Sequence, residues 1–300
     1  MAFLPNPADD PDTWAQNVSH EESVGRVQRL FTLCVGGALA LMAMFLFQPD
    51  GDDALERLRK TGVVRIGYAI EAPFAILGDA GEVTGEAPEI ARHVVERLGI
   101  SRIEWHQMDL GGLIPELRAG RIDVIASGLF ITPDRSGKVL FSRPSMAVRQ
   151  AMLVPAGNPR GLRSYREMAG RPDVIAAVLA GSVEDMLMTR LGMADSRELR
   201  VPDALTGRRA VETGLADALL LSEPSLRWMM SRGEPGRLEV AVDEEQESGL
   251  PAFAFRLDEP EFRDAWDDAL AAYLGSAEHL AMLVSFGLSW TPPATQKTGE

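Results

Sequence analysis

The sequence predicts an α/β protein built from two lobes with a cleft between them, preceded by one membrane-spanning helix. Strand-like apolar segments alternate with amphipathic helical segments between residues 63 and 126, and a second alternating set runs between residues 151 and 242. An uncharged apolar run lies ahead of both sets. Since strand–helix–strand order favours a parallel sheet covered by helices, each set predicts one lobe. A ligand is then expected beyond the carboxyl ends of the strands.

The residues ahead of the alternating pattern are predicted to form a tail and an anchor. Residues 1–29 are polar and are predicted to be disordered. Leu30–Phe47 carries no charge and, as a helix, would span about 27 Å, close to the hydrocarbon thickness of a bilayer. A cleaved signal peptide, a lipoprotein signal and an uncleaved anchor are the alternatives. The long acidic leader, and Cys34 near the start of the run, favour an anchor over residues 30–48. Basic residues flank both sides, so charge leaves the orientation undecided.

Composition excludes several classes of function. The chain has 30 basic and 44 acidic side chains, for a formal net charge of −14, and it has no basic stripe, so no nucleic acid is expected as a partner. The single cysteine excludes an internal disulfide and a cysteine zinc site. The four histidines show no metal-ligand spacing. We therefore expect neither a metal nor a cofactor.

The individual elements follow from hydrophobic period and from turn residues. In the first set, strands are predicted at Val63–Tyr68, Ile103–His106 and Ile122–Ala126, helices at Pro88–Leu98 and Leu113–Ala119, and a glycine-containing loop at Glu71–Gly85. In the second set and beyond, strands are predicted at Ala151–Pro155, Val174–Val178, Glu198–Val201, Ala216–Leu221, Leu238–Val242 and Ala252–Arg256, and helices at Val183–Leu191, Ala204–Gly214, Pro224–Arg232, Pro260–Leu274 and Ala277–Phe286. The last two helices have no strand of their own, so they are expected to return to the first lobe.

The segment Gly128–Arg135 has the residue types of a small anion receiver. Gly128 lets the backbone approach a ligand closely, and Thr132 is a helix N-cap by type. Phe130 offers a ring face, and Arg135 brings a guanidinium fork to the first turn of the helix. Together these groups suit a carboxylate attached to a flat or cationic body. The alternative is a core phenylalanine and a solvated arginine beside an ordinary strand-to-helix turn.

Four segments resemble a known family. They are Glu71-Ala-Pro-Phe74, GEVTGEAPEIAR at Gly81–Arg92, LIPELRAGRIDVIASG at Leu113–Gly128, and the following FITPDR. They resemble the amino-acid-type extracellular solute-binding proteins of ABC importers (solute-binding protein family 3), most of all its ectoine/hydroxyectoine-binding branch. The resemblance covers roughly Ala54 to Trp290.

The resemblance implies a two-lobed, periplasmic-binding-protein-like (type II) fold with two crossover strands, near Arg149–Pro155 and Val242–Leu250. The first lobe is then expected at residues 51–148 plus 246–292, the second lobe at residues 149–245, and a short tail at residues 293–300.

The resemblance also implies roles for individual residues of the first lobe. Arg135 looks like the arginine that binds the ligand carboxylate, with Gly128 contributing its backbone beside it. Phe74 and Phe130 look like the rings that sandwich a flat cationic amidine, and Glu71 looks like the acidic partner of that cation. A buried zwitterion needs both charges paired, since an unpaired buried ion costs several kcal/mol. For Glu71 the alternative is a solvated loop carboxylate.

Two second-lobe residues look like a turn that closes on the ligand, Ser182 and Glu184. Each has a structural alternative: Ser182 as a helix N-cap, and Glu184 as a first-turn acid that favours the helix dipole. Two departures from the family pattern matter. Ser222 stands where amino-acid binders place an aspartate for the α-amine. Leu110 stands nearest to where ectoine-type binders carry a further aromatic ring.

The function implied is that of a membrane-tethered, non-enzymatic receptor outside the cytoplasmic membrane. It would capture a small zwitterion, such as ectoine, hydroxyectoine or an amino-acid-like compound, and deliver it to the permease subunits of an ABC importer. Two other functions are considered. A dehydratase on the same fold could use Glu71 or Glu184 as its general acid. A tethered sensor would signal its closure to a separate partner.

Overall fold

A computed structural model of the chain describes residues 54–233 and 236–293. The predicted tail at residues 1–29, the predicted anchor at residues 30–48 and residues 294–300 lie outside the described residues. Among the helices of the described ranges, none is long and apolar enough to cross a membrane.

The first lobe is built on a five-stranded sheet. Its strands are β1 (Val63–Tyr68), β4 (Arg102–Gln107), β5 (Val124–Phe130), β6 (Leu140–Phe141) and β12 (Pro251–Phe255), in the spatial order β4-β1-β5-β12-β6. β1 pairs in parallel with β4 and β5, whereas β12 pairs antiparallel with β5 and β6. The carboxyl ends of β1 and β5 therefore lie side by side, at the edge of the sheet where ligands bind.

Helices cover this sheet, and a small hairpin extends from it. The helices are α1 (Ala54–Thr61), α2 (Glu86–Arg97), α3 (Leu113–Arg118), α4 (Pro133–Ser136), α9 (Pro260–Tyr273) and α10 (Ala277–Ser285), and the hairpin is β2 (Ile76–Leu77) with β3 (Val83–Thr84). The aromatic side chains of α9 are buried against β12: the Trp266 ring lies 5.1 Å from that of Phe253 and 5.5 Å from that of Phe255. This packing brings the carboxyl-terminal helices onto the first lobe.

The second lobe is built on another five-stranded sheet. Its strands are β7 (Gln150–Pro155), β8 (Ala176–Leu179), β9 (Glu198–Val201), β10 (Ala218–Ser222) and β11 (Leu238–Val242), in the order β11-β7-β10-β8-β9. Its helices are α5 (Tyr165–Gly170), α6 (Val183–Arg190), α7 (Ala204–Glu212) and α8 (Glu223–Ser231). β8 is parallel to β9 and β10, while β7 is antiparallel to β10 and β11. Apolar clusters lie on both faces of the sheet.

The chain crosses between the lobes twice, and the two crossing segments pair with each other. Val148 and Gly249 form an isolated antiparallel bridge, with backbone N–H to carbonyl distances of 2.9 and 2.7 Å. The expected first crossover at Arg149–Pro155 is misplaced, because residues 150–155 lie wholly inside the second sheet as β7. The crossing segments are residues 142–149 and 243–250.

Three local predictions differ from the structure. The loop predicted at Glu71–Gly85 contains the β2–β3 hairpin. Strand β5 continues past Ala126 to Phe130, because Leu129 and Phe130 pair with β12. Gly128 therefore lies inside a strand, although with a positive φ of 62°. Helix α5 was not predicted at all.

Candidate ligand-binding site

Arg135 is held at the interface between the lobes. Thr132 caps α4, as predicted, by accepting a hydrogen bond from the Arg135 backbone N–H. The Arg135 side chain is buried, with the residue only 6% exposed. Its guanidinium donates to the carbonyl oxygen of Phe130 at 2.9 Å and, across the interface, to that of Gly181 at 3.0 Å. The alternative of a solvated arginine is therefore excluded.

Two carboxylates act electrostatically on this guanidinium. Burial lowers the pKa of Arg135 to about 10, while the negative charges of Glu184 and Glu71 oppose that shift. The guanidinium therefore stays protonated at neutral pH. When both carboxylates are ionised, Arg135, Glu71 and Glu184 together carry one negative charge. A cationic ligand group, or a proton on one carboxylate, would neutralise that charge.

Glu71 is positioned by the end of β1. The Ser127 hydroxyl of β5 accepts a hydrogen bond from the Ala69 backbone N–H at 2.9 Å, which ties the residue after β1 to β5 just ahead of Glu71. Across the interface, the Ser225 hydroxyl donates to the Glu71 carboxylate at 2.8 Å. Burial raises the pKa of Glu71, and the Ser225 hydrogen bond and Arg135 counteract that rise. A half-buried carboxylate with a hydroxyl donor is not a solvated loop group.

Ser222 supports Glu71 indirectly. Its hydroxyl caps α8 by accepting from the Ser225 backbone N–H, and it lies 3.0 Å from the Ser225 hydroxyl oxygen. The two serines and Glu71 thus form a chain of hydrogen bonds that runs from the second lobe to the first. Neither serine carries a charge, so the second lobe supplies no aspartate at this position.

Glu184 and Ser182 lie at the start of α6. The Ser182 hydroxyl accepts from the Asp185 backbone N–H at 3.1 Å and is therefore the N-cap of the helix. Glu184 is 4% exposed, so it is not a solvent-facing first-turn acid. Burial, followed by the negative charge of Glu71, raises the pKa of Glu184 to about 7. At neutral pH this side chain is poised between its charged and neutral forms.

The two predicted ring contacts, Phe74 and Phe130, belong to one buried apolar cluster beside the crossing segments. A Cβ atom at Gly128 would lie 2.8 Å from Cγ of Phe74, and one at Gly249 would lie 2.2 Å from Cε2 of Phe130. The Phe74 ring therefore packs directly on the backbone of Gly128, and the Phe130 ring on that of Gly249. This close packing explains why Gly128 is glycine.

Two of the cavities between the lobes contain predicted site residues. The Glu71 cavity has a volume of about 620 Å³ and is lined by residues including Glu71, Leu110 and Ser225. The Glu184 cavity has a volume of about 480 Å³ and is lined by residues including Phe130 and Glu184. The remaining predicted site residues line neither cavity; they are Phe74, Gly128, Arg135, Ser182 and Ser222. Leu110 is half-buried at the start of a short 3₁₀ turn.

Sequence reasoning missed three residues of the interface. Ser225 carries the hydrogen bond to Glu71, and Gly181 provides the carbonyl for Arg135. Gly181 also packs against Gly111 of the first lobe, so closely that a Cβ atom would lie 2.8 Å from the Gly111 Cα atom. For Ser225 the only signal was a second serine three residues after Ser222, which is typical of helix capping.

The fold and the interface define a two-lobed α/β binding protein with a charged site between its lobes. The chain belongs to the bacterial extracellular solute-binding proteins, family 3, whose family model matches residues 64–282.

Individual relatives support the same class. A probable amino-acid ABC transporter periplasmic-binding protein, y4tE of Sinorhizobium fredii (strain NBRC 101917 / NGR234), is 30% identical over 261 residues, which are 84% of this chain and 86% of the relative. The crystal structure of EhuB in complex with hydroxyectoine is similar with a TM-score of 0.75 and 33% identity, covering 79% of this chain and 93% of EhuB. An ancestral amino acid-binding protein, AncCDT-1, described as a precursor of cyclohexadienyl dehydratase, has a TM-score of 0.69 and 24% identity, covering 78% of this chain and 99% of its own; this likeness is one of fold.

Proposed function

We propose that this protein is the solute-binding component of an ABC importer and that it captures a small zwitterion between its lobes. The observation that carries the proposal is the buried Arg135 guanidinium at the interface, with Glu71 and Glu184 near enough to act on its pKa. The names of the relatives, an amino-acid ABC transporter binding protein and EhuB with hydroxyectoine, support the same class of solute.

The ligand carboxylate would replace a backbone carbonyl as the partner of Arg135. Opening the lobes separates Arg135 from Gly181 and frees one side of the guanidinium fork. A carboxylate accepts hydrogen bonds from that fork in a charge-assisted and often bidentate manner, which is stronger than a bond to a neutral carbonyl. The exchange therefore favours an anionic group at this position.

The cationic end of the ligand would lie between Glu71 and Glu184. A cyclic amidinium such as that of ectoine is flat and delocalised and has two N–H donors, so it can offer one donor to each carboxylate. An α-ammonium group fits less well, because Ser222 stands where amino-acid binders of the family place an aspartate for it. The absence of a ring at Leu110 leaves room for compounds related to ectoine but different in shape.

We also propose the arrangement around this site. Residues 51–148 with 246–292 form the first lobe, residues 149–245 form the second lobe, and residues 293–300 form a tail. Residues 30–48 anchor the protein in the cell membrane as a single span, with residues 1–29 as a disordered tail. The binding lobes then face the periplasmic or extracellular side, where they meet the permease subunits.

A second candidate function is an enzyme of the dehydratase type, and one observation favours it. The pKa of Glu184 is raised to about 7, which suits a general acid at neutral pH. We infer that the chain is not an enzyme, because its relatives over most of its length are solute-binding proteins. Formation of product from prephenate or arogenate would overturn this inference.

Calorimetric titration of the full purified chain with ectoine, hydroxyectoine, betaines and polar amino acids tests the proposal. Arg135→Ala is expected to weaken binding by at least about 2 kcal/mol, roughly 30-fold, because the ligand carboxylate is left unpaired. Arg102→Ala, which removes an exposed arginine paired with Glu104 on β4, is the matched control and should leave binding unchanged. Equal affinity of the Arg135→Ala variant and the wild type would reject the site.

A further inference from the structure

The Glu71 cavity is lined by one of the two carboxylates that would bind a cation, Glu71, and extends well beyond it. Its volume of about 620 Å³ is in the range typical of pockets for drug-sized ligands, about 300–1,000 Å³. Both lobes contribute to its walls. The Glu71 carboxylate and the Ser225 hydroxyl line it, whereas Arg135 does not. A zwitterion gripped by Arg135 therefore presents its cationic end, and not its carboxylate, to this cavity.

The second-lobe wall of the Glu71 cavity is largely apolar. Leu179, Leu205, Trp228 and Met229 contribute side chains from β8, α7 and α8. Leu205, at the start of α7, is 57% exposed, so its side chain is accessible to a ligand in the cavity. Such a wall provides hydrophobic contact area that a small zwitterion held at Glu71 would not use.

Charged groups of the same wall have partners elsewhere. Arg208 donates to the Glu212 carboxylate at 2.7 Å, and the Asp203 carboxylate accepts from the Thr206 backbone N–H at 2.7 Å as the N-cap of α7. The Arg232 guanidinium lies 3.5 Å from the ring centroid of Trp228. Each of these three charged groups therefore has a partner within the protein, so the second-lobe wall does not demand a charged ligand group.

We propose that the Glu71 cavity is a subsite for an uncharged, apolar substituent attached to the cationic group of the ligand. The preferred solute is then a zwitterion with a ring or alkyl chain on its cationic end rather than an unsubstituted one. This inference rests on the proposed function, because it places the cation at Glu71. Burial of the substituent against Leu205 and Met229 provides affinity that ectoine, with only a methyl group on its amidine carbon, does not gain.

The test compares two probes on the full chain by calorimetry. The probes are ectoine and its 2-phenyl analogue, in which a phenyl ring replaces the methyl group on the amidine carbon. The variants are Leu205→Trp, which narrows the cavity, and Thr206→Trp, which places the same side chain at an exposed neighbouring position that does not line the cavity. Both substitutions are on the surface of α7, so both variants should fold, as circular dichroism can verify.

If the cavity is such a subsite, the wild type should bind the phenyl analogue at least tenfold more tightly than ectoine. Leu205→Trp should weaken binding of the analogue at least tenfold while changing ectoine affinity less than twofold, and Thr206→Trp should change neither. Equal or weaker binding of the analogue by the wild type, or equal losses for both probes in Leu205→Trp, would overturn the subsite. Failure of the proposed function gives a different result, in which the Arg135→Ala variant retains wild-type affinity for both probes.

Discussion

The guanidinium of Arg135 in the first lobe donates a hydrogen bond to the carbonyl oxygen of Gly181 in the second lobe, at 3.0 Å. A second interlobe hydrogen bond joins Ser225 to Glu71 at 2.8 Å. The groups proposed to bind the two ends of the ligand are thus the same groups that hold the lobes together. Ligand binding then exchanges contacts between the lobes for contacts with the solute.

The first prediction concerns the shape of the Arg135 head group. Arg135→Lys keeps the positive charge but loses the planar fork, which can serve a carboxylate and a carbonyl at once. Affinity for the best zwitterion found in the calorimetric screen should fall roughly 10-fold, less than for Arg135→Ala. A lysine variant with wild-type affinity would show that charge alone matters at this position.

Ser225→Ala tests the interlobe bond to Glu71. Loss of one hydroxyl donor to a carboxylate costs about 1.5–3 kcal/mol when the carboxylate stays charged and buried, so cation binding should weaken roughly 10-fold or more. Ser231→Ala is the control, because Ser231 is exposed on the same helix and donates only to the Trp228 carbonyl. Similar affinities for both variants would argue against a role of Ser225 in orienting Glu71.

Gly128→Ala should lower the free energy of unfolding by more than the strained backbone alone would cause. The residue has a φ of 62°, and its new Cβ atom would collide with the Phe74 ring. Gly120→Ala separates the two effects, because Gly120 has a φ of 69° with no atom within 4 Å of the added carbon. Urea unfolding should show a loss of about 1 kcal/mol for Gly120→Ala and about 3 kcal/mol for Gly128→Ala. Equal losses would mean that the Phe74 ring gives way without cost.

Replacing Glu86 by glutamine should change how the free energy of unfolding depends on pH. Glu86 is buried at the start of α2, and burial raises its pKa from 4.5 to about 7, with only a hydrogen bond from Ser145 opposing the rise. Between these two values the folded protein holds more protons than the unfolded chain, so this group makes the protein less stable as pH rises. The glutamine variant lacks that dependence.

The free energy of unfolding of the Glu86→Gln variant, relative to wild type, should therefore increase by about 3 kcal/mol between pH 4 and pH 8, most steeply between the two pKa values, and level off outside that range. Urea titrations at fixed pH values measure it. A difference that stays flat, or that falls with rising pH, would contradict a raised pKa at this position.

The spacing of hydrophobic residues along the chain was sufficient to predict much of the fold. Strands β1, β9 and β11 have the predicted bounds, because each is a short apolar or alternating run that ends at turn residues. Helix α5 was missed, since six residues are too few to show a period. Its signal was the capping pattern at its start, where Ser164 accepts a hydrogen bond from the Glu167 backbone N–H.

The candidate site was less accessible to sequence reasoning. The helix cap formed by Thr132 depends only on residues close to it in the sequence, and its prediction is confirmed. By contrast, the Ser225–Glu71 bond joins residues 154 positions apart, and it exists only because the lobes meet. The same holds for Glu184: its neighbours along the chain predict a helix-start acid, whereas the side chain is buried and lines a cavity between the lobes. Local sequence reports which groups are present, whereas their charge states depend on the assembled interface.

The bridge between Val148 and Gly249 has a mechanical consequence. Because the two crossing segments are joined by paired backbone hydrogen bonds, they should act as one hinge, which favours bending about a single axis over sliding or twisting of the lobes. The Phe130 ring rests on Gly249, at the middle of that hinge. If a solute binds against this ring, as the resemblance to the family implies, it would act at the point where the two crossing segments pair, so binding and the angle between the lobes would be coupled there.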